Sequence, residues 1–376
     1  MEKMSKADLE KEEILNPEKA EKRRRRKKKA RIMAVVTVIC MILVVCCTGF
    51  IVVRAMGKNS IMSKATSPSP SLSTDLNVMD KVEQWQDGWV GYNGKVYEYN
   101  DDIMTFLVMG IDKKSTSPQT GSGISNSQAD AIYLVVMNPH TKKVDLIAVN
   151  RDTIADVDVY SQPGAYANTI KTQIALQYTY GDGKVKSAQL MEKAVSKLFY
   201  QLPIHGYVAI SMDAIPTIND TIGGVEVQCL QDLTEVDPLL KQGETLKLEG
   251  QSAFWYVKYK DVNASHGSSD RLERQTQYIQ SFVGQAKSAF KADVAMPLTL
   301  FKKLGPYMVT DIKADEVTYL VSTAAAYKFS GEVHNLAGES KTEEGNEAFY
   351  VDDNALYQLV ITLFSNEVPQ YYPHHT

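Results

Sequence analysis

The chain of 376 residues has only four cysteines, and three of them (Cys40, Cys46, Cys47) fall within one apolar run. Cys229 is left alone in the remainder, so no disulfide can form within the region that follows that run. A region of this size needs none, because it can bury an adequate core without a covalent staple. The usual catalytic signatures are also missing: no G-x-S-x-G, no H-E-x-x-H, no C-x-x-C and no G-x-x-x-x-G-K-[ST]. The six histidines are scattered, and only the terminal His374-His375 stand together, which argues against a histidine-dependent hydrolase or a zinc site. No internal repeat is visible.

What is present begins with charge and hydropathy. Residues 22–31 read KRRRRKKKAR, and Ile32 to Val53 follow without a single charge. Twenty-two apolar residues at about 1.5 Å each cover the roughly 30 Å hydrocarbon core of a bilayer. The span starts too far in, and is too long, for a cleaved signal peptide. The cations before it predict a cytoplasmic N-terminus and an outer face for the rest. Residues 1–54 hold 14 of the 41 Lys/Arg and 7 of the 45 Asp/Glu, which leaves a net charge of −11 beyond them. That balance argues against nucleic-acid binding by the outer part, so an anionic ligand there needs a local cluster of cations.

The expected organisation is a basic cytoplasmic tail (1–31), a transmembrane signal-anchor (32–53), a flexible Ser/Pro-rich stalk (54–80), an accessory hairpin (81–100), a main domain (101–366) and a short tail (367–376). The hairpin rests on Asn93-Gly94 between two aromatic runs. In the main domain Met104–Met109, Ala131–Met137 and Val144–Val149 read as strands, the last two close enough to pair antiparallel. Tyr207–Ser211 and Val225–Cys229 are further strands. Helices are expected near Ile170–Tyr180, Ser187–Tyr200, Leu272–Lys291, Ala314–Tyr327 and Asp352–Asn366, and Trp255–Tyr259 reads as a strand or a helix end. Interspersed strands and helices predict an α/β fold with a mixed central sheet.

Two groups of residues carry chemistry. Asp112 follows the first strand, Asp130 begins the next, and Arg151-Asp152 ends the third, so adjacent strands would gather them along one rim of the sheet. Each alone is an ordinary loop residue; together they suit Mg²⁺, which takes carboxylate and phosphate oxygens. The second group is VKYKDVNASHGSSDRLERQTQY. Lys258 and Lys260 alternate along what reads as an extended segment, and Asp270 with Glu273 reads as a capping box opening a helix. Arg271, Arg274 and Gln275 then lie near that helix start, beside an apolar face of Leu272, Thr276, Ile279, Val283, Ala286 and Phe290. Cations at a helix N-terminus form an anion-binding arrangement, and the arginine fork suits phosphate.

These residues resemble the LytR–CpsA–Psr family of Gram-positive envelope proteins. The matching pieces are FLVMGID (106–112), SQADAIYLVVMNPHTKKVDLIAVNRDT (127–153), ALQYTYGDG (175–183), IGGVEV (222–227), LEGQSAFWYVKYKD (248–261) and SSDRLERQTQYI (268–279). The resemblance implies an α/β/α sandwich. It also implies transfer of a teichoic acid- or capsule-like glycopolymer from an undecaprenyl-pyrophosphate carrier to peptidoglycan. By the same resemblance Asp112 and Asp130 lie near Mg²⁺ or Mn²⁺, and Arg151 and Asp152 are catalytic. Arg151, Lys258, Lys260, Arg271, Arg274 and Gln275 line the pyrophosphate. The chain departs from many members at Lys258 and Lys260 (Arg there), at Ser127 and Gln128, and at Asn150 (Pro there). A non-catalytic binding module for polyprenyl phosphate or wall polymer, and a membrane-tethered attenuator, are the alternative readings.

Overall fold

The computed structural model describes residues 53–113, 127–161, 164–261, 267–293, 295–324, 326–343 and 345–369. The basic tail and all but the last residue of the expected membrane span lie outside these. Among the described residues no helix is long and apolar enough to cross a membrane. The fold is that of the unit beginning at Gly57.

The expected stalk is ordered from that point. Residues 57–62 are helical (α1), Leu76–Met79 form a short helix (α2), and the chain between them lies on the body. Ile61 is fully buried, Lys64 donates to Glu316 at 2.8 Å, and the Thr66 amide donates to the Ile204 carbonyl at 3.1 Å. Weak periodicity suggested flexibility, but one buried apolar side chain and a run of tertiary hydrogen bonds suffice to fix the segment, and neither leaves a periodic mark in sequence.

The hairpin forms as expected. β1 (Trp89–Tyr92) pairs with β2 (Lys95–Tyr99), and Asn93 and Gly94 take φ of 47° and 75°, the left-handed pair that a tight, right-twisted hairpin requires. The three apolar runs become β3 (Met104–Lys113), β4 (Ser127–Asn138) and β5 (Lys143–Val149), antiparallel in sequence order. The expected helix at Ile170–Tyr180 is corrected. β6 (Ile154–Ser161) pairs with β7 (Ala165–Gln173), and only Ile174–Tyr180 coils, as a 3₁₀ helix. Pairing with β6 overrides the local pattern up to Gln173.

Then come α3 (Val185–Leu198), β8 (Tyr207–Ser211), α4 (Ile215–Thr221), the hairpin of β9 (Val225–Gln228) and β10 (Thr245–Leu248), α5 (Gln251–Lys258) and α6 (Gly267–Ala292). The chain closes with α7 (Met296–Leu304), β11 (Met308–Thr310), α8 (Ala314–Ala324), β12 (Lys328–Asn335), the hairpin of β13 (Gly338–Glu343) and β14 (Asn346–Val351), α9 (Asp353–Phe364) and β15 (Ser365–Glu367).

The central sheet runs β11-β8-β3-β4-β5-β12. β3 and β8 are parallel, as are β5 and β12, and the other neighbours are antiparallel. Alternate residues feed two cores. Leu107, Met109, Ile132 and Leu134 pack on one face with Met191 and Val195 of α3 and Val360 and Phe364 of α9. Met104, Phe106 and Met137 pack on the other with Ile61 of α1 and Val317 and Tyr319 of α8. The result is a three-layer α/β/α arrangement around a mixed sheet. A further core joins α5 and α6 to the β9–β10 hairpin.

Candidate functional site

The site is assembled where β3 ends, β4 begins and β5 turns into β6. Asp112 lies opposite Gln128 across the β3–β4 ladder. One step further the register breaks: Ile111 faces Ala129 while Gly110 faces Ala131, so Asp130 is the extra residue of a β-bulge. Ala129 keeps its place in the core beside Ile111, and Asp130 is released from strict alternation toward the cationic groups. Asp130 is only 8% exposed, so its charge must be compensated.

The compensation comes from two arginines. Arg151 Nη1 donates to Asp130 Oδ1, Nη2 donates to Gln128 Oε1 at 2.7 Å, and Nε lies 3.5 Å from Asp152 Oδ1. Arg271 Nη1 reaches Asp130 Oδ2 at 3.5 Å. The turn carrying Arg151 is tied by Asn150, whose side-chain oxygen accepts from the Asp152 amide at 3.0 Å. An Asx turn thus holds the backbone on either side of Arg151. Gln173, from the base of β7, donates to Asp152 Oδ1 at 2.9 Å.

Lys258 is the last residue of α5, which corrects the expectation of an extended segment, and Lys260 follows just beyond the helix. The two still serve one place: Lys258 pairs with Asp112 at 2.9 Å, and Lys260 with Glu347 of β14 at 3.1 Å. Asp112, Gln128, Asp130, Arg151, Asp152, Lys258, Lys260 and Arg271 all line one cleft of about 1680 Å³. Lys171 and Gln173 of β7 and Glu343 and Glu347 of the β13–β14 hairpin complete its charged and amide wall. Those four residues carry no sequence signal. They reach the cleft through hairpins that contact it only in three dimensions.

Two expected members are elsewhere. α6 begins at Gly267, so Asp270 lies within its first turn and does not cap it. Arg274 turns into the protein, where Nε and Nη2 donate to the Tyr256 and Tyr259 carbonyls and Nη1 donates to Gln231 Oε1 at 2.8 Å. Gln275 donates to the Val257 carbonyl at 3.0 Å. Both clamp the end of α5 to α6; neither lines the cleft. The buried side of α6 is therefore the polar stripe of Arg271, Arg274, Gln275 and Tyr278, with Ala286 the one member of the expected apolar face that is fully inside. The α5 terminus offers bare carbonyls, and only donors satisfy them.

Burial pulls the Arg271 pKa down and the Asp130 carboxylate pulls it back up; a guanidinium stays charged under either influence. The cleft lining is formally neutral: Arg151, Lys171, Lys258, Lys260 and Arg271 against Asp112, Asp130, Asp152, Glu343 and Glu347. Among the described residues no three His, Cys, Asp or Glu side chains converge as a ready-made metal cage. Asp112 and Asp130 offer the hard carboxylate oxygens that Mg²⁺ takes together with phosphate and water, and in this structure Lys258, Arg151 and Arg271 engage them.

Comparison with known proteins bears on the family and the fold. The LytR_cpsA_psr family model matches residues 61–364. A relative from Oceanobacillus iheyensis, named polyisoprenyl-teichoic acid–peptidoglycan teichoic acid transferase TagU, is 24% identical over 260 residues, which span 69% of this chain and 74% of that protein. Of solved structures, Bacillus subtilis TagV superposes with a TM-score of 0.53 at 20% identity, covering 69% of this chain and 95% of that one. TagT bound to LI-WTA gives 0.51 at 17%, covering 75% and 93%. At such identities the structures establish a shared fold.

Proposed function

The chain belongs to the LytR–CpsA–Psr family, and from that premise we propose that it transfers a glycopolymer, teichoic acid- or capsule-like, from an undecaprenyl-pyrophosphate carrier to peptidoglycan. The observation that carries the reading is the cleft in which Arg151 and Arg271 flank the bulged Asp130 and which Lys258 and Lys260 also line. A pyrophosphate diester brings about two negative charges into a lining that is already balanced. A divalent cation entering with it restores neutrality, which is why Mg²⁺ (or Mn²⁺) belongs in the proposal. Asp112 and Asp130 would hold that ion, and when bound it would neutralise charge developing on the phosphoryl oxygens.

The chain's own groups account for the rest. Arg151 and Arg271 grip the phosphates through planar forks, while Lys258 and Lys260 act as movable point charges. A peptidoglycan hydroxyl attacks the polymer-linked phosphorus. The bond from that phosphorus to the bridging oxygen breaks, and undecaprenyl phosphate leaves with the electron pair. Asp152, beside Arg151 and held in place by Gln173, is the carboxylate assigned to accept the hydroxyl proton. Water in place of the sugar hydroxyl would make the same site a pyrophosphatase. The N-terminal anchor would hold the domain at the outer surface of the cell membrane, where the carrier's lipid tail stays. No step involves nucleic acid.

The test is transfer of a labelled lipid-linked glycopolymer to peptidoglycan by the purified full chain, with and without Mg²⁺. Arg151→Ala and Arg271→Ala are each expected to reduce kcat/KM by about 10²-fold or more. Wild-type rates in both variants would overturn the assignment. Tight binding of the carrier without any turnover would favour the binding-module reading.

A further inference from the structure

We propose that Tyr166, braced by Tyr160 on the β6–β7 hairpin, is a platform for the sugar rings of the acceptor glycan strand; the inference rests on the transfer reading above. β7 is exposed from Ala165 to Lys171, and its only pairing partner among the described residues is β6. Its base contributes Lys171, Thr172 and Gln173 to the cleft wall. Tyr166 stands five residues further out, roughly 17 Å away at strand rise.

The hairpin is shaped to present this ring. Pairing passes from Val159 opposite Asn168 to Tyr160 opposite Tyr166, which leaves Ala167 as an extra residue. Without that bulge Tyr160 would face Ala167; with it, the two tyrosines meet edge to face, centroids 6.0 Å apart and planes at 78°. Lys186 of α3 sits 5.4 Å from the Tyr160 ring centre. The Tyr166 hydroxyl bonds Thr169 Oγ1 at 2.9 Å, and Thr169 donates to Asp158 Oδ1 at 2.7 Å. Lys193 and Lys197 fix that carboxylate at 2.8 and 3.0 Å. Tyr166 is nevertheless 57% exposed. A large apolar ring is thus held still in water by a chain of polar contacts, so little side-chain entropy remains to be lost when a ligand covers it.

The chemistry of the patch selects its occupant. A sugar ring offers a C–H face for stacking and hydroxyls for the surrounding polar groups. A polyol-phosphate donor chain has no ring face and would be drawn by unpaired cations, and a capsule-like donor, which has ring faces, is told apart by the donor KM below. Here Lys171 is paired with Asp156 at 2.9 Å, Lys193 and Lys197 with Asp158, and Lys186 lies over the Tyr160 ring. Continuity of β7 with the transfer cleft places such a strand where its hydroxyl can reach the phosphorus.

The probe is a set of soluble N-acetylglucosamine–N-acetylmuramic acid oligosaccharides stripped of peptide, titrated into the full chain in detergent by calorimetry. Saturable binding is expected, weakened about tenfold by Tyr166→Ala and distinctly less by Tyr166→Phe, which keeps the ring but loses its bond to Thr169. In the transfer assay Tyr166→Ala should raise the acceptor KM by a similar factor and leave the donor KM in place. No binding by the wild type, equal binding by Tyr166→Ala, or a shift in donor KM instead would each overturn the platform. Tyr166-dependent glycan binding without any transfer would sink the transfer reading and leave the platform standing.

Discussion

Arg271 and Arg274 lie one helical turn apart on α6, and both are buried, yet their partners differ in kind. Arg271 faces a carboxylate at the cleft, whereas Arg274 spends its donors on two main-chain carbonyls and Gln231. Removing Arg274 strands those acceptors, so Arg274→Ala should lower unfolding stability by about 3 kcal/mol in denaturant titration. Arg271→Ala should lower transfer far more than it lowers stability, because Arg151 still compensates Asp130. If the two variants showed the same profile, the division between clamp and site residue would be wrong. Residue types and strand ends made Asp112, Asp130, Arg151, Asp152, Lys258, Lys260 and Arg271 legible from sequence. Arg274 and Gln275 were misplaced because an arginine that grips carbonyls and one that faces a cleft look alike in one dimension. Gln173 and Glu347 left no trace, since hairpins remote in sequence deliver them.

At the scale of elements, two bulges do what regular strands cannot: one releases Asp130 to its arginines, and one sets Tyr160 opposite Tyr166. A continuous apolar run predicts each of β3, β4 and β5, because these strands are buried on both faces of the sheet. It cannot place a single inserted residue, nor foresee that β7 extends into a segment with helical spacing. Asp158 ties the β6–β7 hairpin to α3. Burial alone would raise its pKa, but bonds from Lys193, Thr169 and Lys197 outweigh burial and bring it to about 2, below the ordinary 3.8. A depressed carboxylate stabilises the fold fully above its unfolded pKa and loses that contribution as pH falls toward the folded value. The hairpin is therefore expected to loosen between about pH 4 and 2, read by amide exchange across β6. Asp158→Asn should abolish that particular step, and an unchanged profile in the variant would count against it.

At the scale of the molecule, the segment from Gly57 onward joins the fold as a strap rather than a free tether. Glu316 is fully buried, accepts from Ser60 and Lys64 at 2.6 and 2.8 Å, and also caps the Lys313 amide. Lys64→Ala leaves that carboxylate short of its cation and should cost about 3 kcal/mol, measurable as a fall in the denaturation midpoint. A loss below about 0.5 kcal/mol would mean that the strap contributes nothing.

The central claim is phosphoryl transfer, and product analysis tests it most directly. With donor labelled in both phosphates, the full chain should yield undecaprenyl phosphate together with peptidoglycan carrying the polymer through a single phosphodiester. Release of undecaprenyl pyrophosphate with a phosphate-free linkage, or no covalent product at all, would contradict it.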